Sequence, residues 1–384
     1  MREEAGQAPL AGLRVIELAR ILAGPWAGQV LADLGAEVIK VEAPEGDDTR
    51  RWGPPWIEVE GDRSAAYFHG CNRGKKSVTA DFRTPEGVAL VRSLIEGADV
   101  VIENFKVGGL AKYGLDYDSL RAANPALVYC SITGFGQDGP YANRAGYDFL
   151  IQGMSGIMDL TGAPDGEPQK IGVAFTDIFT GLYSVIAIQA ALAARETTGR
   201  GQHIDMALMD CATGVLANQA MNFFATGDAP RRLGNAHPNI APYQVFSASD
   251  GDLILAVGND GQFRRACGVL GLNELASDPR FASNGARVEN RAALTGALGT
   301  AFAAWGRDAV LAALEAATVP AGPINRVDQV FADPQVIARG LRIDAQGVPG
   351  LRSPMRFSES PLTLDRRAPT LGEHDAKDTP QGTT

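Results

Sequence analysis

The 384-residue sequence has no excess of positive charge. Its 35 Lys and Arg residues are outnumbered by 45 Asp and Glu residues, which gives a formal net charge of -10. Proteins that bind nucleic acid use Lys and Arg to neutralise phosphates, so we expect no nucleic-acid partner. A local cluster of basic residues could still bind the phosphates of a small molecule.

Histidine is scarce, and the cysteines are not paired along the chain. None of the four histidines forms an HExxH motif, and Cys71, Cys130, Cys211 and Cys267 include no CxxC pair. These spacings argue against a zinc site and against a disulfide framework. We therefore expect no metal, and a reducing compartment, the cytoplasm, as the location of the protein.

Long apolar runs are missing as well. No uninterrupted run reaches the roughly 18 residues of a membrane span, so we expect no transmembrane helix and no membrane partner. The N-terminal residues include acidic side chains and no apolar h-region, which predicts no secretory signal. With 45% hydrophobic and 21% charged residues, the chain can bury a core of ordinary size, and its length allows two domains.

Short β-branched segments alternate with helical segments in the N-terminal half. Residues 13–18 and 37–44 are predicted to be strands, and residues 23–36 between them a helix. This arrangement is a βαβ unit, in which the two strands are parallel. The alternation predicts an α/β domain with a largely parallel sheet. It continues with predicted helices at 84–98 and 178–195 and predicted strands at 99–105, 126–136 and 202–210.

The composition changes after about residue 224, where Pro, Gly and Asn become frequent. Residues 243–258 then predict a hairpin around Asp250-Gly251. These features indicate a second, α+β domain, and the last residues, 375–384, are predicted to be disordered. Helices of the second domain are predicted at 261–270, 284–304 and 307–317.

The turn after the first predicted strand lacks the GxGxxG fingerprint of dinucleotide-binding proteins. It reads ARILAGP from Ala19 to Pro25. Without those glycines the backbone cannot approach a pyrophosphate in the usual way. Glu42, at the end of the second strand, could contact a ribose, but a capping or surface role is more typical. We expect no dinucleotide cofactor.

Asp177 stands where a loop or strand-like segment meets the long apolar helix at 178–195. An aspartate at this place can serve simply as an N-cap, and position alone favours that interpretation. The start of a helix also favours the ionised carboxylate. A carboxylate that is kept ionised and backed by amide donors is suited to attack a thioester. The two interpretations are compatible.

Basic residues are scattered near the ends of the predicted strands, and most are interpreted as solvated surface. Asn104 and Phe105 are more specific, because Lys106 and Lys112 follow them closely. They lie just past the end of a parallel strand, where α/β sheets bind ligands. An aromatic face beside two cations could accept an adenine ring and phosphates.

Several stretches together, in order, resemble the class III CoA-transferase family. That family includes formyl-CoA transferase, carnitine CoA-transferase and, as a divergent branch, α-methylacyl-CoA racemase. The matching stretches run through nearly the whole chain. They include LAGPWAGQVLADLGAEVIKVE (22–42), GDDTRRW (46–52), TADFRTPEG (79–87), DVVIENF (99–105), GYDFLIQGMSG (146–156), TDIFTGLY (176–183), GNAHPNIAPYQVF (234–246) and LGEH (371–374).

The resemblance implies a fold. Members of the family have a Rossmann-like large domain with a parallel sheet, a smaller α+β domain inserted into it, and an interlocked homodimer. On this basis we expect a large CoA-binding domain from residues 1–210 and 326–384. A linker at 211–228 would lead to a small domain at 229–325. The change of composition near residue 224 agrees with that division.

The resemblance also implies chemistry. Asp177 matches the nucleophilic aspartate of the family, which forms an aspartyl anhydride and then an aspartyl-CoA thioester. Tyr147 and Asp148 match further positions of the catalytic site. Coenzyme A enters as a substrate, with an acyl-CoA donor and a carboxylic acid acceptor. The residues that the resemblance puts near CoA are Arg20, Arg50, Ala80, Arg83, Asn104, Phe105, Lys112 and Tyr113.

Two alternatives to CoA transfer remain at this stage. The racemase branch carries a histidine where this chain has Tyr147, and a tyrosine is a poor proton acceptor at neutral pH. Racemisation of a 2-methylacyl-CoA is therefore the second hypothesis, and a non-catalytic CoA-binding protein is the third. Leu22 and Ala43 replace a glutamine and an arginine of formyl-CoA transferase. The segment at 234–246 is more similar to members that act on succinyl-CoA and small dicarboxylic acids.

Overall fold

The structure is a computed structural model that describes residues 6–375. The chain divides into two compact units. Within the described residues, the first unit comprises the chain up to residue 157, residues 170–221, and the chain from residue 334 onward. The second unit comprises residues 158–169 and 222–333. The predicted disordered tail, 375–384, lies outside the described residues apart from Asp375.

The first unit contains a six-stranded parallel sheet, as the sequence predicts. Its strands are β1 (Arg14–Glu17), β2 (Glu37–Glu42), β5 (Lys76–Thr79), β6 (Val100–Glu103), β7 (Val128–Thr133) and β8 (His203–Ala207), and the antiparallel hairpin of β3 (Trp56–Val59) and β4 (Asp62–Ala65) lies between β2 and β5 in the chain. The order across the sheet is β5-β2-β1-β6-β7-β8. This is the order of a doubly wound α/β sheet, with the topological switch point between β1 and β6.

Helices cover both faces of this sheet. One face packs on apolar side chains of α1 (Ala23–Asp33) and α7 (Phe175–Thr198), including Leu31, Val185 and Ile188. The other face packs on α3 (Pro85–Glu96) through Val91 and Leu94. The first unit also contains α2 (Ala66–His69), α4 (Tyr117–Leu120), α5 (Asp148–Met154) and α8 (Leu208–Gly214), whereas α6 (Ile157–Leu160) and α9 (Ala217–Thr226) each have residues in both units.

The second unit has its own core around a three-stranded antiparallel sheet. The predicted hairpin is present as β9 (Tyr243–Ala248) and β10 (Gly251–Ala256), and β11 (Ala321–Pro323) pairs with β10. The helices of the second unit include α10 (Asp260–Val269), α11 (Asn273–Ser277), α12 (Asn284–Glu289), α13 (Arg291–Ala303), α14 (Arg307–Ala316) and α15 (Val327–Ala332). The chain then returns to the first unit with α16 (Pro334–Ala338) and the hairpin of β12 (Arg342–Ala345) and β13 (Val348–Leu351).

The predicted linker at 211–228 lies largely in α8 and α9, because its apolar residues fall at helical spacing, and the division between the two units falls within it, after residue 221. One expectation from the sequence needs correction. The predicted single helix at 284–304 is two helices, which are separated at Asn290, where the backbone leaves helical geometry.

By length and composition alone, α7 could cross a membrane. No uninterrupted apolar run marks this helix in the sequence, because small and hydroxyl residues are interspersed among its apolar ones. The core helices of soluble proteins can have the same length and composition. In this structure Val185, Ile188 and Ala191 of α7 are buried against the sheet and α1.

A buried group of charges lies beneath the carboxyl ends of β1 and β2. The Lys40 ammonium, which is fully buried, contacts Glu17 Oε1 at 3.1 Å and Asp47 Oδ2 at 2.9 Å. Lys75 Nζ contacts the same Glu17 carboxylate at 2.8 Å. Burial alone would lower the pKa of Lys40, but the Glu17 and Asp47 carboxylates hold it above its usual value. We call Glu17, Lys40, Asp47 and Lys75 the buried charge cluster.

Removing one member of the buried charge cluster should be strongly destabilising. We expect Lys40→Met to lower the free energy of unfolding by about 3–5 kcal/mol, because it leaves two carboxylates buried without their shared cation. Lys76→Met is the matched control, because Lys76 lies in β5, the strand that pairs with β2, and its partner Glu37 is half-exposed. Its loss should cost about 0–1 kcal/mol. Urea unfolding measures both variants, and equal losses would contradict this account.

Candidate active site

A cavity of about 640 Å³ opens in the first unit at the carboxyl ends of the parallel strands. Residues that follow β1, β2, β5, β6, β7 and β8 contribute to its wall. The cavity includes the switch point between β1 and β6, where doubly wound sheets bind ligands. Of the residues singled out from the sequence, it is lined by Arg20, Ala80, Arg83, Asn104, Phe105, Lys112, Tyr113, Tyr147 and Asp177.

Asp177 is the third residue of α7 and is not its N-cap. The N-cap position is taken by Ala174, whose side chain cannot cap. Asp148, at the start of α5, takes over this function. Its Oδ1 accepts hydrogen bonds from the Thr176 backbone N–H at 2.8 Å and the Thr176 hydroxyl at 2.7 Å. A carboxylate from another helix therefore satisfies the first turn of α7, and the Asp177 side chain remains available to the cavity.

The Asp177 carboxylate lies in an unfavourable environment for charge. Burial, and then the neighbouring charge of Asp148, raise the pKa of Asp177 to about 7. The positive end of the α7 dipole acts in the opposite direction. Among residues 6–375, we find no hydrogen-bond donor on the Asp177 carboxylate. The sequence suggested a carboxylate backed by amide donors, whereas the structure shows one that is poorly solvated and hence reactive.

Tyr147 and Asp148 are adjacent in sequence but have different positions relative to the cavity. Tyr147 is 65% exposed and lines the cavity. Asp148 is half-buried, lies outside the cavity wall, and also accepts a hydrogen bond from Gln152 Nε2 at 2.8 Å. Tyr147 is therefore placed to touch a ligand, and Asp148 is placed to hold α7.

Aromatic side chains form one wall of the cavity. Phe105 and Phe82 are stacked, with ring centroids 6.0 Å apart, and Tyr113 meets Phe82 edge-on at 5.6 Å. The Arg20 guanidinium lies 5.9 Å from the Phe105 ring, and Lys112 Nζ lies 4.6 Å from the Tyr113 ring. Flat apolar surfaces bordered by cations suit an aromatic base that carries phosphates.

Sequence reasoning missed two residues of this wall. Phe82 lies inside the stretch at 79–87, directly after β5, and its position past a strand end was the available signal. Arg144 lines the cavity and lies 4.4 Å from the ring of Tyr141. It comes from a loop without regular structure, where no pattern in the sequence marks it.

The Asn104 amide joins two loops of the cavity wall. Its Oδ1 accepts from the Arg20 backbone N–H at 2.9 Å, and its Nδ2 donates to the Arg20 carbonyl at 2.7 Å. Both ends of the amide are thus used to join the loop after β6 to the turn after β1. Asn104 shapes the wall and positions Arg20.

Arg50 does not line the cavity, contrary to the expectation from the sequence. Its side chain is buried against the ring of Phe68, and its guanidinium donates twice to Glu42, at 2.8 and 2.7 Å. A guanidinium engaged in a buried bidentate pair would lose that pair if it turned to a ligand. Arg50 has a structural role at this site.

Arg83 presents the opposite case. It is exposed, and it contacts Asp81 at 2.8 Å and Glu45 at 3.5 Å. Exposed ion pairs of this kind contribute little to stability, so the guanidinium can turn to an anionic ligand. Among the described residues, no group of three or more His, Cys, Asp and Glu side chains is arranged to hold a metal ion.

Comparison with known proteins finds relatives that match over most of this chain. Residues 10–375 match the model of CoA-transferase family III. A succinate–glutarate CoA-transferase from Agrobacterium fabrum is 60% identical, covering 96% of this chain and 94% of that protein. The human succinyl-CoA:glutarate CoA-transferase is 40% identical, over 95% of this chain and 84% of that protein.

A solved structure gives the same result for the fold. The crystal structure of a CAIB/BAIF family protein from Brucella suis superposes with a TM-score of 0.87 at 70% identity, covering 96% of this chain and 97% of that chain. The relatives from Agrobacterium fabrum and human are named as CoA-transferases. With the family model matched from residue 10 to residue 375, the chain belongs to CoA-transferase family III and is a CoA-transferase.

Proposed function

We propose that this enzyme transfers CoA between succinyl-CoA and a small dicarboxylic acid such as glutarate, with Asp177 as the nucleophile. The observation that carries the proposal is the Asp177 carboxylate, which lines a cavity edged by aromatic rings and cations and is kept at a raised pKa by burial and by Asp148. The choice of acids is supported by the names of the relatives from Agrobacterium fabrum and human.

The reaction proceeds through exchanges of one anion for another. An Asp177 oxygen attacks the thioester carbonyl of the donor and expels the CoA thiolate, which leaves a mixed anhydride. The thiolate attacks the aspartyl carbonyl of that anhydride, releases the donor acid as a carboxylate and leaves an aspartyl-CoA thioester. The acceptor carboxylate attacks the aspartyl carbonyl of this thioester and expels the CoA thiolate, which leaves a second anhydride. The thiolate then attacks the acceptor's acyl carbonyl, so that the new acyl-CoA forms and the Asp177 carboxylate is released. Each step consumes one anion and forms another, so no net proton transfer is needed.

The neighbours of Asp177 favour the first step. The charge of Asp148 and the burial of Asp177 raise the free energy of the ionised nucleophile, and acylation relieves this because it removes the charge of Asp177. Tyr147, exposed in the cavity, supplies a hydroxyl that can donate to the oxygen of the attacked carbonyl. In this proposal Asp148 also fixes the direction of α7 through Thr176.

The wall of the cavity binds the coenzyme. The pair of Phe82 and Phe105 stacks with the adenine ring, and the side chains of Arg20, Arg83 and Lys112 contact the phosphates. Ala80 and Tyr113 complete the apolar surface beside the base. This assignment leaves Arg50 out, because its guanidinium is engaged with Glu42.

We further propose that the enzyme works as a homodimer in the cytoplasm. Large apolar side chains on α7 are exposed in the single chain, namely Leu182, Tyr183 and Ile186. Exposed apolar residues grouped on one helix are typical of an interface. The four cysteines are free thiols, which suits a reducing compartment.

The substrates can be tested directly. We expect the purified enzyme to form glutaryl-CoA from succinyl-CoA and glutarate faster than it forms acyl-CoA products from acetate or formate. A panel of acyl-CoA donors crossed with carboxylic acids, including oxalate, is measured by mass spectrometry. Turnover limited to monocarboxylic acids would contradict the proposed specificity and leave the transfer chemistry intact.

Replacing the nucleophile should separate binding from chemistry. We expect Asp177→Asn to lower transfer by roughly three orders of magnitude or more while CoA still binds. Hydroxylamine should inactivate the wild type after exposure to acyl-CoA, but not the variant. Asp210→Asn is the matched control, because Asp210 is an exposed third residue of α8. Retained transfer in Asp177→Asn would rule out the covalent mechanism.

The raised pKa of Asp177 predicts two pH effects. Its value of about 7 exceeds the unfolded value of 3.8, so ionisation opposes folding increasingly from pH 4 to 7 and fully above pH 7. Asp177→Asn should therefore raise Tm most above pH 7 and little below pH 4. For the same reason kcat/KM for acyl-CoA should fall in the wild type as the pH drops below about 7.

Asp148→Asn provides the control for this profile. The side-chain oxygen of the introduced asparagine can still accept from Thr176, but the asparagine has no negative charge to raise the pKa of Asp177. The midpoint of the kcat/KM profile should therefore move to lower pH. A wild-type midpoint near pH 4 would contradict the environment described for Asp177.

A further inference from the structure

The turn that follows β1 has a backbone conformation that its sequence disfavours. Ile21 has a φ of 73°, in the left-handed region. Glycine or asparagine is usual there, and a β-branched residue is a genuine outlier. Such strain persists where the surrounding structure enforces it, and it is concentrated at functional sites.

Side chains from outside the turn hold its backbone. The Ile21 backbone N–H donates to the Asp47 carboxylate, with Oδ2 at 3.2 Å and Oδ1 at 3.4 Å. The Asn104 amide holds both the N–H and the carbonyl of Arg20. The Lys40 ammonium donates to the carbonyl two residues before Ile21, at 2.9 Å.

Asp47 holds the N–H of the strained residue, whose carbonyl accepts from the Cys71 thiol at 3.7 Å. Its side chain is buried, and its carboxylate also accepts from the N–H and hydroxyl of Thr49 at 3.0 and 2.8 Å. Burial alone would raise the pKa of Asp47, but the Lys40 ammonium and the Thr49 donors hold it below its usual value. The carboxylate is thus ionised and fixed before any ligand arrives.

The turn belongs to the cavity, whereas Asp47 does not. Arg20, Ile21 and Leu22 line the cavity together with Asp177, and α1 begins directly afterwards. Asp47 is absent from the cavity wall. It contacts the wall through the Ile21 N–H of the turn and, with its own backbone N–H, through the Glu42 carboxylate.

We propose that Asp47 is a positioning residue for acyl-CoA, because it holds Ile21 in the left-handed conformation that shapes the cavity wall. This inference rests on the proposed CoA-transferase function. Without the clamp, Ile21 relaxes to a negative φ, and the side chain of Arg20 and the backbone at Leu22 leave their places. The Asp177 carboxylate is on another element and is not moved. Binding of the coenzyme should suffer, and the chemical steps should not.

The test combines a loss with a rescue. In Asp47→Asn, an amide that keeps its oxygen on Thr49 turns its NH2 toward the Ile21 N–H and the Lys40 ammonium, so the clamp is lost. We expect this variant to raise the KM for acyl-CoA by roughly tenfold, equivalent to about 1.4 kcal/mol, with kcat within about twofold of the wild type. Adding Ile21→Gly should restore most of the KM, because glycine adopts a positive φ without a clamp. Adding Ile21→Ala removes the same side chain but keeps the Cβ, so it should not restore the KM.

The measurements are initial rates, CoA binding by calorimetry and Tm for all variants. A purely structural role would lower the Tm of Asp47→Asn without changing KM, and that result would overturn the proposal. Equal effects of the glycine and alanine substitutions would overturn it as well. If Asp47→Asn does not fold, Asp47→Glu takes its place, because it keeps the charge beside Lys40 and shifts the carboxylate by one methylene. Absence of CoA transfer in the wild type would overturn the proposed function, whereas normal wild-type turnover with an unchanged KM in Asp47→Asn would overturn only this inference.

Discussion

The arrangement of the site depends on one buried ammonium group. Lys40 lies in β2, and its charge is balanced by Glu17 of β1 and by Asp47 in the loop after β2. Its third contact is a backbone carbonyl of the turn after β1. Removing a charge from water is costly unless every partner is in place, so this group tolerates little displacement of either loop. The cavity wall is consequently fixed before any ligand binds, which reduces the ordering that binding requires.

The Asp148 carboxylate, behind the cavity wall, has two effects on α7. Asp148 satisfies the first turn of α7, which lacks a cap of its own, and in doing so it brings a negative charge close to Asp177. The same contact that stabilises the helix therefore makes ionisation of its third residue less favourable. Asp148 thus stabilises α7 and at the same time raises the pKa of Asp177, and perturbed pKa values of this kind are common at active sites.

The sequence predicts the local elements well and the long-range contacts poorly. Local signals, namely the hydrophobic periodicity and the turn residues, predict the parallel strands, α1, α7 and the hairpin at Asp250-Gly251. The cap that Asp148 provides to α7 joins residues 28 positions apart, and no local pattern reveals it. The same limit applies to Asn104, which lines the cavity as the sequence predicts but whose bonds to the Arg20 backbone no local pattern reveals. The family resemblance predicts the role of Asp177 more specifically than its place at the start of a helix does.

The arginines show which physical property separates a ligand contact from a structural residue. Arg50 and Arg83 both follow strand ends in matching stretches, so the sequence treats them alike. Arg50 is 6% exposed and donates two hydrogen bonds to Glu42. If Arg50 turned to a ligand, the buried Glu42 carboxylate would lose its partner. The pairs of Arg83 are in water and cost little to break. A chain with a net charge of -10 can therefore bind a polyanionic coenzyme, provided that the cations it offers are those held only by exposed partners.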